Sequence, residues 1–548
     1  MKRFAAGPGF GMLAVLAACG SSSTGATPGT TADAGVPPPI AGCSVIHPGT
    51  AGLALKATLL VPGGPTAGEV LVDGTGTIAC VGASCSGSAG YANATQIACT
   101  SAVVSPGFVN AHDHTDYDHQ PPVDIGRTRY QHRDEWRTGA DGAVAIKYQS
   151  YADDAKTNAA AELRFLLSGV TSVVGSGGVD GLVRNLAVSP YTNASMEGLT
   201  GKTVLFETFP LGDTNGTILT SGCLYPAIIT TGSAFGEGVF APHFAEGINP
   251  GAENEIVCAA SPAVGLLTAQ TTILHAVGTN ARDVASIQSA GSKVVWAPRS
   301  NIALYGNTMP ITEMKAAGVP IALGTDWLPS GSMNMLRELA CADELNSKYF
   351  ARAFDDEALL AMATSNSAAA MGFGNQIGTI ATGMQADLVV FAAGSDKGWR
   401  TPIEASVEDV MLVLRGGKVL YGDATLVAGT NATGCEAMDV CGTHKSVCID
   451  VPGVALADVQ SVAQSTYPLF FCRGQTPTDE PTCIPYRDTY PNGTSATDQD
   501  GDGVPDAKDD CPTVFNPPRS MDGDVQSDVD GDGVGDACDG RPLDPGRH

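Results

Sequence analysis

Positive charge is scarce in this chain. Thirty Lys and Arg stand against 57 Asp and Glu in 548 residues, a formal net charge of −27. A surface of that sign repels phosphate backbones and anionic lipid headgroups, which excludes nucleic acid and acidic membrane surfaces as electrostatic partners. Long apolar runs are missing as well. Near the N-terminus, Met12-Leu13-Ala14-Val15-Leu16 is too short to span a bilayer as a mature helix. The fifteen cysteines show no repeated C-x-x-C spacing, so a structural zinc finger is not expected. What is present is a chain long enough for two or three units, with 43% hydrophobic residues to fill a large core.

Five metal-ligand side chains are spread through the middle. His112 and His114 lie in PGFVNAHDHTD, His243 in APHFAEG, His275 in ILHAVG and Asp326 in IALGTDW. Each ends a short apolar run of the kind that forms a buried parallel strand. Strand alternation puts His112 and His114 on one face and turns Asp113 away. Four imidazoles and a carboxylate at one rim suit a single divalent transition metal, zinc first, with iron or manganese as alternatives. Strand and helix signals alternate around them: NAAAELRFLLSG precedes VTSVVG, and KTVLFETF, GVFAPHF, TTILHAV, KVVWAP and PIALGTD follow. This reads as an α/β fold with a parallel sheet. The fourth strand is the hardest to place, and LYPAIITT (224–231) is the expectation.

The order and local sequences of these motifs resemble the amidohydrolase superfamily, in particular its deaminase and triazine-hydrolase branch, over roughly Ala51 to Val427. The resemblance implies a metal-dependent (β/α)8 TIM barrel, with His-x-His on the first strand, His-x-x-Glu on the fifth, His on the sixth and Gly-Thr-Asp on the eighth. It implies that Glu246 shuttles protons to the leaving nitrogen and that Asp326 contacts the metal and takes a proton from the attacking water. A helix-start carboxylate is the plainer reading of Glu246. His275 either joins the metal shell or polarises the substrate.

Two departures qualify the resemblance. Trp296-Ala297-Pro298-Arg299-Ser300-Asn301 stands where deaminases of the branch carry His-Cys-Pro-x-Ser-Asn, and the large apolar Trp296 counts against nucleobase deamination. No lysine ends the fourth strand to bridge two metals; Lys202 begins a strand, and Glu207 is the remaining bridge, so one metal is expected. Substrate contacts are assigned to Trp296, Arg299, Asn301, Tyr305 and Trp327, with Ser330 and Ser332 beside them.

Strand-prone runs at 51–104 and 380–430 predict a small β-sandwich built from both flanks of a 105–379 barrel. A Cys- and Pro-rich connector occupies 431–491. Beyond it, 14 Asp against 4 Lys or Arg from Asp498 to His548 give a net of −10. Asp498, Asp500, Asp502 and Asp506, then Asp528, Asp530, Asp532 and Asp536, recur with Gly at the turns as calcium loops require, although the Glu of an EF-hand twelfth position is absent. With Cys511 and Cys538 they resemble thrombospondin type 3 repeats over 498–539. Calcium removal is expected to unfold this tail and spare the barrel.

At the other end, Lys2, Arg3 and the apolar run lead to Leu16-Ala17-Ala18-Cys19. This resembles a bacterial lipobox, which implies a signal peptide over 1–19, a lipid on Cys19 and a tether over 20–50; a plain secretory signal is the alternative. The other fourteen cysteines then pair as disulfides in an exported, lipid-anchored envelope protein. The expected activity is hydrolysis of a non-peptide C–N bond (amide, cyclic amide or amidine) in a small molecule. The alternatives are an aminohydrolase or dehalogenase acting on a heteroaromatic ring, and an inactive calcium-dependent adhesion or scaffold protein.

Overall fold

The computed structural model describes residues 42–189, 194–395 and 398–546; Cys19, the lipobox and most of the tether lie outside them. The centre is α/β. Short strands at Phe108–His114, Val170–Ser176, Val204–Glu207, Val239–Phe244, Thr272–His275, Lys293–Trp296 and Ile321–Leu323 run parallel to their neighbours in two sheets. The Val239–Phe244 strand is buried along its whole length, as expected for a parallel strand covered on both faces. The pairs Arg184–Asn185 and Ala187–Val188 flank Leu186, whose amide bonds Val173 and whose carbonyl accepts from Val204. The last strand returns to the first: Asp326 N donates to His112 O at 3.0 Å, and a Cβ on Gly324 would lie 2.6 Å from His112 Cβ.

Helices follow the strands with the caps their sequences supply. Asp154 caps Ala155–Leu167, Asn249 caps Pro250–Ala260, and Asn280 forms a capping box on Ala281–Ala290. The fourth-strand expectation at 224–231 is not met. Leu224 is exposed, Tyr225 is buried, and a four-residue helix starts at Thr231. The apolar residues there anchor a loop, tied by Cys223–Cys258, while Val204–Glu207 supplies the strand.

Strands from both flanks join one continuous ten-stranded sheet. Thr95–Pro106 pairs parallel with Leu53–Val61, with a register shift between Lys56 and Thr58, and antiparallel with Cys43–His47 over its first half and with Leu388–Ala392 over its second. Leu53, Leu55, Ala57 and Leu59 alternate inward and pack with Leu388, Val390, Leu412 and Leu414. A hairpin of Cys435–Val440 and Thr443–Cys448 extends the sheet into the connector.

All fourteen cysteines after Cys19 pair. Cys43–Cys99, Cys80–Cys85, Cys435–Cys448, Cys441–Cys472 and Cys511–Cys538 are local, whereas Cys341–Cys483 ties a helix of the central unit to the connector. The C-terminal segment is not set apart from the rest. Tyr490, Cys511, Val514 and Phe515 belong to the large central apolar cluster, and Phe515 N donates to Tyr349 O at 2.8 Å.

Candidate metal and active site

His112 and His114 project from the same face of Phe108–His114. On the other face Thr325 donates to Asp113 Oδ2 at 2.5 Å, and Asn110 Nδ2 donates to Thr325 Oγ1 at 2.5 Å. These bonds fix the residue next to Asp326. His275 and Asp326 hold φ of 71° and 56°, left-handed values that cost a non-glycine residue free energy unless its surroundings enforce them. For Asp326 they do: Ser300 donates to Oδ2 at 2.6 Å and Trp327 N to Oδ1 at 2.7 Å.

The side chains converge. The His114 and His243 Nε2 atoms are 3.3 Å apart, and His112 Nε2 lies 3.2 Å from Asp326 Oδ1. The His112 ring is 4.9 Å from both the His243 and the His275 ring, centroid to centroid. Ligand atoms about 2.0–2.1 Å from a tetrahedral zinc ion lie roughly 3.3 Å from one another, which matches both short separations. Although fully buried, His112 has no properly formed hydrogen bond at either ring nitrogen, a cost that a metal bond would remove. His243 Nδ1 faces Glu207 O at 3.0 Å; a proton there leaves Nε2 as a lone pair toward the centre. Burial lowers His114 and His275 to about 3 and pushes His243 well down, keeping these imidazoles neutral as ligands must be. Burial opposes the Asp326 carboxylate, but His112 leads the neighbours that hold it well below its ordinary range. The donor set fits a divalent transition metal.

Asn301 Nδ2 meets His275 Nδ1 at 3.2 Å. With the amide as donor, the ring proton sits on Nε2, which is 3.7 Å from Glu246 Oε2; with the amide turned, Nε2 is free for a metal. Both roles of His275 stay open. Glu246 is buried, accepts a hydrogen bond from Tyr305 OH at 2.7 Å, and is raised to about 7 by burial, against the opposing pull of Arg133. That value suits a group that must take and give a proton near neutrality.

Above the cluster opens a cavity of about 440 Å³ whose floor includes His114, His243, His275, Asp326 and Glu246. Its wall is aromatic. Trp327 is 5.0 Å from Tyr148, 5.3 Å from Trp136 and 5.8 Å from Tyr117, centroid to centroid, and Phe206 and Phe209 complete the lining. Of the substrate contacts expected from sequence, Trp327 alone lines this cavity. Trp296 is buried on the far side, where its Nε1 donates to Thr308 at 2.7 Å and its ring meets Phe350. Arg299 donates to Ser332 and pairs with Glu480 of the connector. Asn301 and Tyr305 act one step back, on His275 and Glu246, and Ser330 accepts from Trp327 Nε1 at 2.6 Å. Lys202 reaches the Gly236 carbonyl on the exposed side, so it bridges nothing at the site. Glu207 lines the cavity.

Tyr117, Trp136 and Tyr148 were not anticipated. They come from the long stretch between the strand that carries His112 and His114 and the helix at Ala155, where the one usable signal is the clustering of aromatic residues.

Residues 228–422 match the amidohydrolase family model. A 5-methylthioadenosine/S-adenosylhomocysteine deaminase of Teredinibacter turnerae is 38% identical over 130 residues, 23% of this chain and 29% of that protein. An 8-oxoguanine deaminase of Pseudomonas aeruginosa is 30% identical over 187 residues, 33% of this chain and 41% of that protein. The chain thus spans well under half the length of these curated relatives. Among solved structures, an atrazine chlorohydrolase from Arthrobacter aurescens TC1 complexed with zinc superposes with a TM-score of 0.50 at 16% identity, covering 76% of this chain and 100% of that one. At that identity the likeness concerns fold alone. The similarity to the amidohydrolase family is thus carried by residues 228–422, and deaminases and triazine hydrolases are among the proteins this chain resembles.

Proposed function

We propose that this chain is a metal-dependent hydrolase that cleaves a non-peptide C–N bond of a small molecule at the rim of a closed (β/α)8 barrel. The observation that carries the reading is the convergence of four histidines and Asp326 beside buried Glu246, on the floor of an aromatic cavity. His112, His114, His243 and Asp326 would hold one zinc-like ion, with His275 as a further ligand or as a polarising group. A bound ion of this kind supplies Lewis acidity, which makes a water deprotonable near pH 7. Asp326, its carboxylate oriented by Ser300 and by Trp327 N, would accept the proton of the attacking water. Glu246, with a proton affinity balanced near 7, passes a proton to the departing nitrogen, which otherwise leaves poorly. Tyr305 holds the Glu246 carboxylate in place through that transfer. The test is metal analysis of the purified protein, followed by a screen of amides, hydantoins and aminated rings for released ammonia or acid. Absence of a transition metal, or no turnover in any class, overturns the reading.

Aminohydrolysis of a heteroaromatic ring is the second reading, and one observation favours it. Trp296, the residue that counted against it, faces Thr308 and Phe350 rather than the cavity. The wall of Tyr117, Tyr148, Trp136 and Trp327 offers faces on which a planar ring can stack. Ammonia release from aminated rings with none from amides would select it.

The Asp-rich loops are proposed calcium sites. Asp498, Asp500 and Asp502 bring carboxylate oxygens together, as do Asp528, Asp530 and Asp532. Asp500 Oδ2 and Asp539 Oδ2 are buried without a hydrogen-bond partner, a state that a cation would relieve. Export to a bacterial envelope and acylation at Cys19 remain proposals supported by the N-terminal residues, and the seven disulfides are in keeping with an oxidising compartment. Mass spectrometry of the mature N-terminus tests the lipid.

A further inference from the structure

Between the two Asp-rich loops, Arg519-Ser520-Met521 lies across the backs of the two segments that carry Glu246 and His275. Arg519 is buried, and its Nη1 donates to Thr279 O at 2.9 Å and to Val277 O at 3.4 Å, in the segment that follows His275. Met521 N donates to Ile248 O, two residues after Glu246, at 3.2 Å, and the Ser520 hydroxyl lies within hydrogen-bond reach of the same carbonyl at 3.1 Å and of Gln131 Oε1 at 3.0 Å. Asp522 accepts from Arg519 Nε at 2.5 Å and orients the guanidinium.

The braced segments are the strained part of the site. Ala245, His275 and Ala276 have φ of 55°, 71° and 48°. Non-glycine residues keep such angles only when neighbouring bonds over-determine them. The two segments also bind each other, with Gly278 N donating to Ala245 O at 2.9 Å. A Cβ on Gly278 would lie 2.8 Å from Gly247 O, so neither segment can shift without the other.

The tripeptide is held by the module around it. Cys511–Cys538 closes the loop that contains it, and Gln526 Nε2 donates to Asp502 and Asp509 at 2.8 Å each, linking the first Asp loop to the chain leading into the second. We propose that Arg519 and Ser520 are positioning residues for the metal site, and that cation binding in the two Asp loops keeps them in place. The acidic module is thereby a brace for the catalytic centre rather than an appendage. The proposal rests on the metal-centre and calcium readings above, and its test separates it from them.

The experiment uses the full mature chain, with Co²⁺ as the probe of the histidine site and hydrogen exchange of residues 245–248 and 276–279 as a readout independent of metal. Arg519→Met should weaken Co²⁺ binding by about tenfold or more, the usual size of a lost supporting contact, and speed exchange in both segments while disulfides and circular dichroism stay unchanged. Arg519→Lys should recover part of both effects. Arg282→Ala, which removes a bond to Val529 O elsewhere on the module and touches neither braced carbonyl, should alter neither. If Arg519→Met does not fold, Ser520→Ala removes a single hydroxyl and should still speed exchange at 245–248. Asp500→Asn with Asp530→Asn should act in the same direction as Arg519→Met. Unchanged exchange and Co²⁺ affinity in the Arg519 and Ser520 variants overturns the brace. Faster exchange in those variants but not in the Asp pair overturns its link to the cation. Wild-type protein that binds no Co²⁺ overturns the metal centre instead, and exchange still decides the brace.

Discussion

Tyr305 donates its hydroxyl to Glu246 Oε1 across 2.7 Å, and Trp136 Nε1 donates to the same hydroxyl at 2.9 Å. One indole, one phenol and one carboxyl group therefore form a buried line from the cavity wall to the floor. Arg487, from the connector, donates to the Tyr305 carbonyl at 2.6 Å and holds the far end. Glu246→Gln should keep the metal and the fold but lose turnover by about 10²–10⁴-fold, because an amide cannot relay a proton. Tyr305→Phe should lower kcat with KM and metal content little changed. An unaltered kcat in both variants removes Glu246 from the chemistry.

Loss of a first ligand should be plainer. His112→Ala and His114→Ala each leave an incomplete shell, and purified protein should contain far less than one equivalent of transition metal. Full occupancy by elemental analysis in both variants would falsify the ligand set.

Stability should depend on pH where the module meets the central unit. Burial, with Asp536 nearby, raises Glu313 to about 8, and burial raises Asp283 to about 7. The folded chain thus holds these protons more tightly than the unfolded chain, whose carboxyls titrate near 4.5 and 3.8. The resulting stabilisation is complete below those ordinary values and fades as pH rises through 7 to 8. In calcium-free buffer the melting temperature should fall between pH 5.5 and 8.5, and Glu313→Gln should flatten the slope. A melting temperature that rises over this window contradicts the assignment.

Cation binding in the acidic loops should release protons. Burial and repulsion from neighbouring carboxylates raise Asp500 to about 8 and Asp502 to about 7, so part of the loop is protonated until a cation arrives. Calcium affinity should weaken as pH drops from 8 to 6, and titration calorimetry in two buffers of different ionisation enthalpy should detect the protons. Asp500→Asn should reduce their number. Equal heats in both buffers would rule out the coupling.

The convergence of His112, His114, His243, His275 and Asp326 could be read from the chain because each sits at the end of an apolar run, and strand geometry brings such ends together. Direction past those ends could not. Trp296 ends one buried strand and Trp327 follows another, yet the first turns into the core beside Phe350 and the second into the cavity. Local pattern does not distinguish these outcomes, because both positions are apolar and both are buried. Tyr117, Trp136 and Tyr148 stand in a stretch without periodicity, so nothing in it foretold a wall. The run at 224–231 looked like a strand because short apolar segments carry the same composition whether they pair or merely plug a gap. The hold of the C-terminal segment on the centre was hidden for another reason: Arg519 is a single residue between acidic loops, and its carbonyl partners leave no trace in side-chain identity.

The strand Thr95–Pro106 sets a timetable for synthesis. Its Ala102 pairs with Ala392, so one edge of the sheet has no partner until nearly the whole central unit has been made. At about 5–20 residues per second, that wait lasts roughly 15–60 s. During it the nascent chain carries an apolar strand edge that could pair wrongly with another copy. A polypeptide kept unfolded until its last strands are available avoids that hazard, as does one moved across a membrane before it folds.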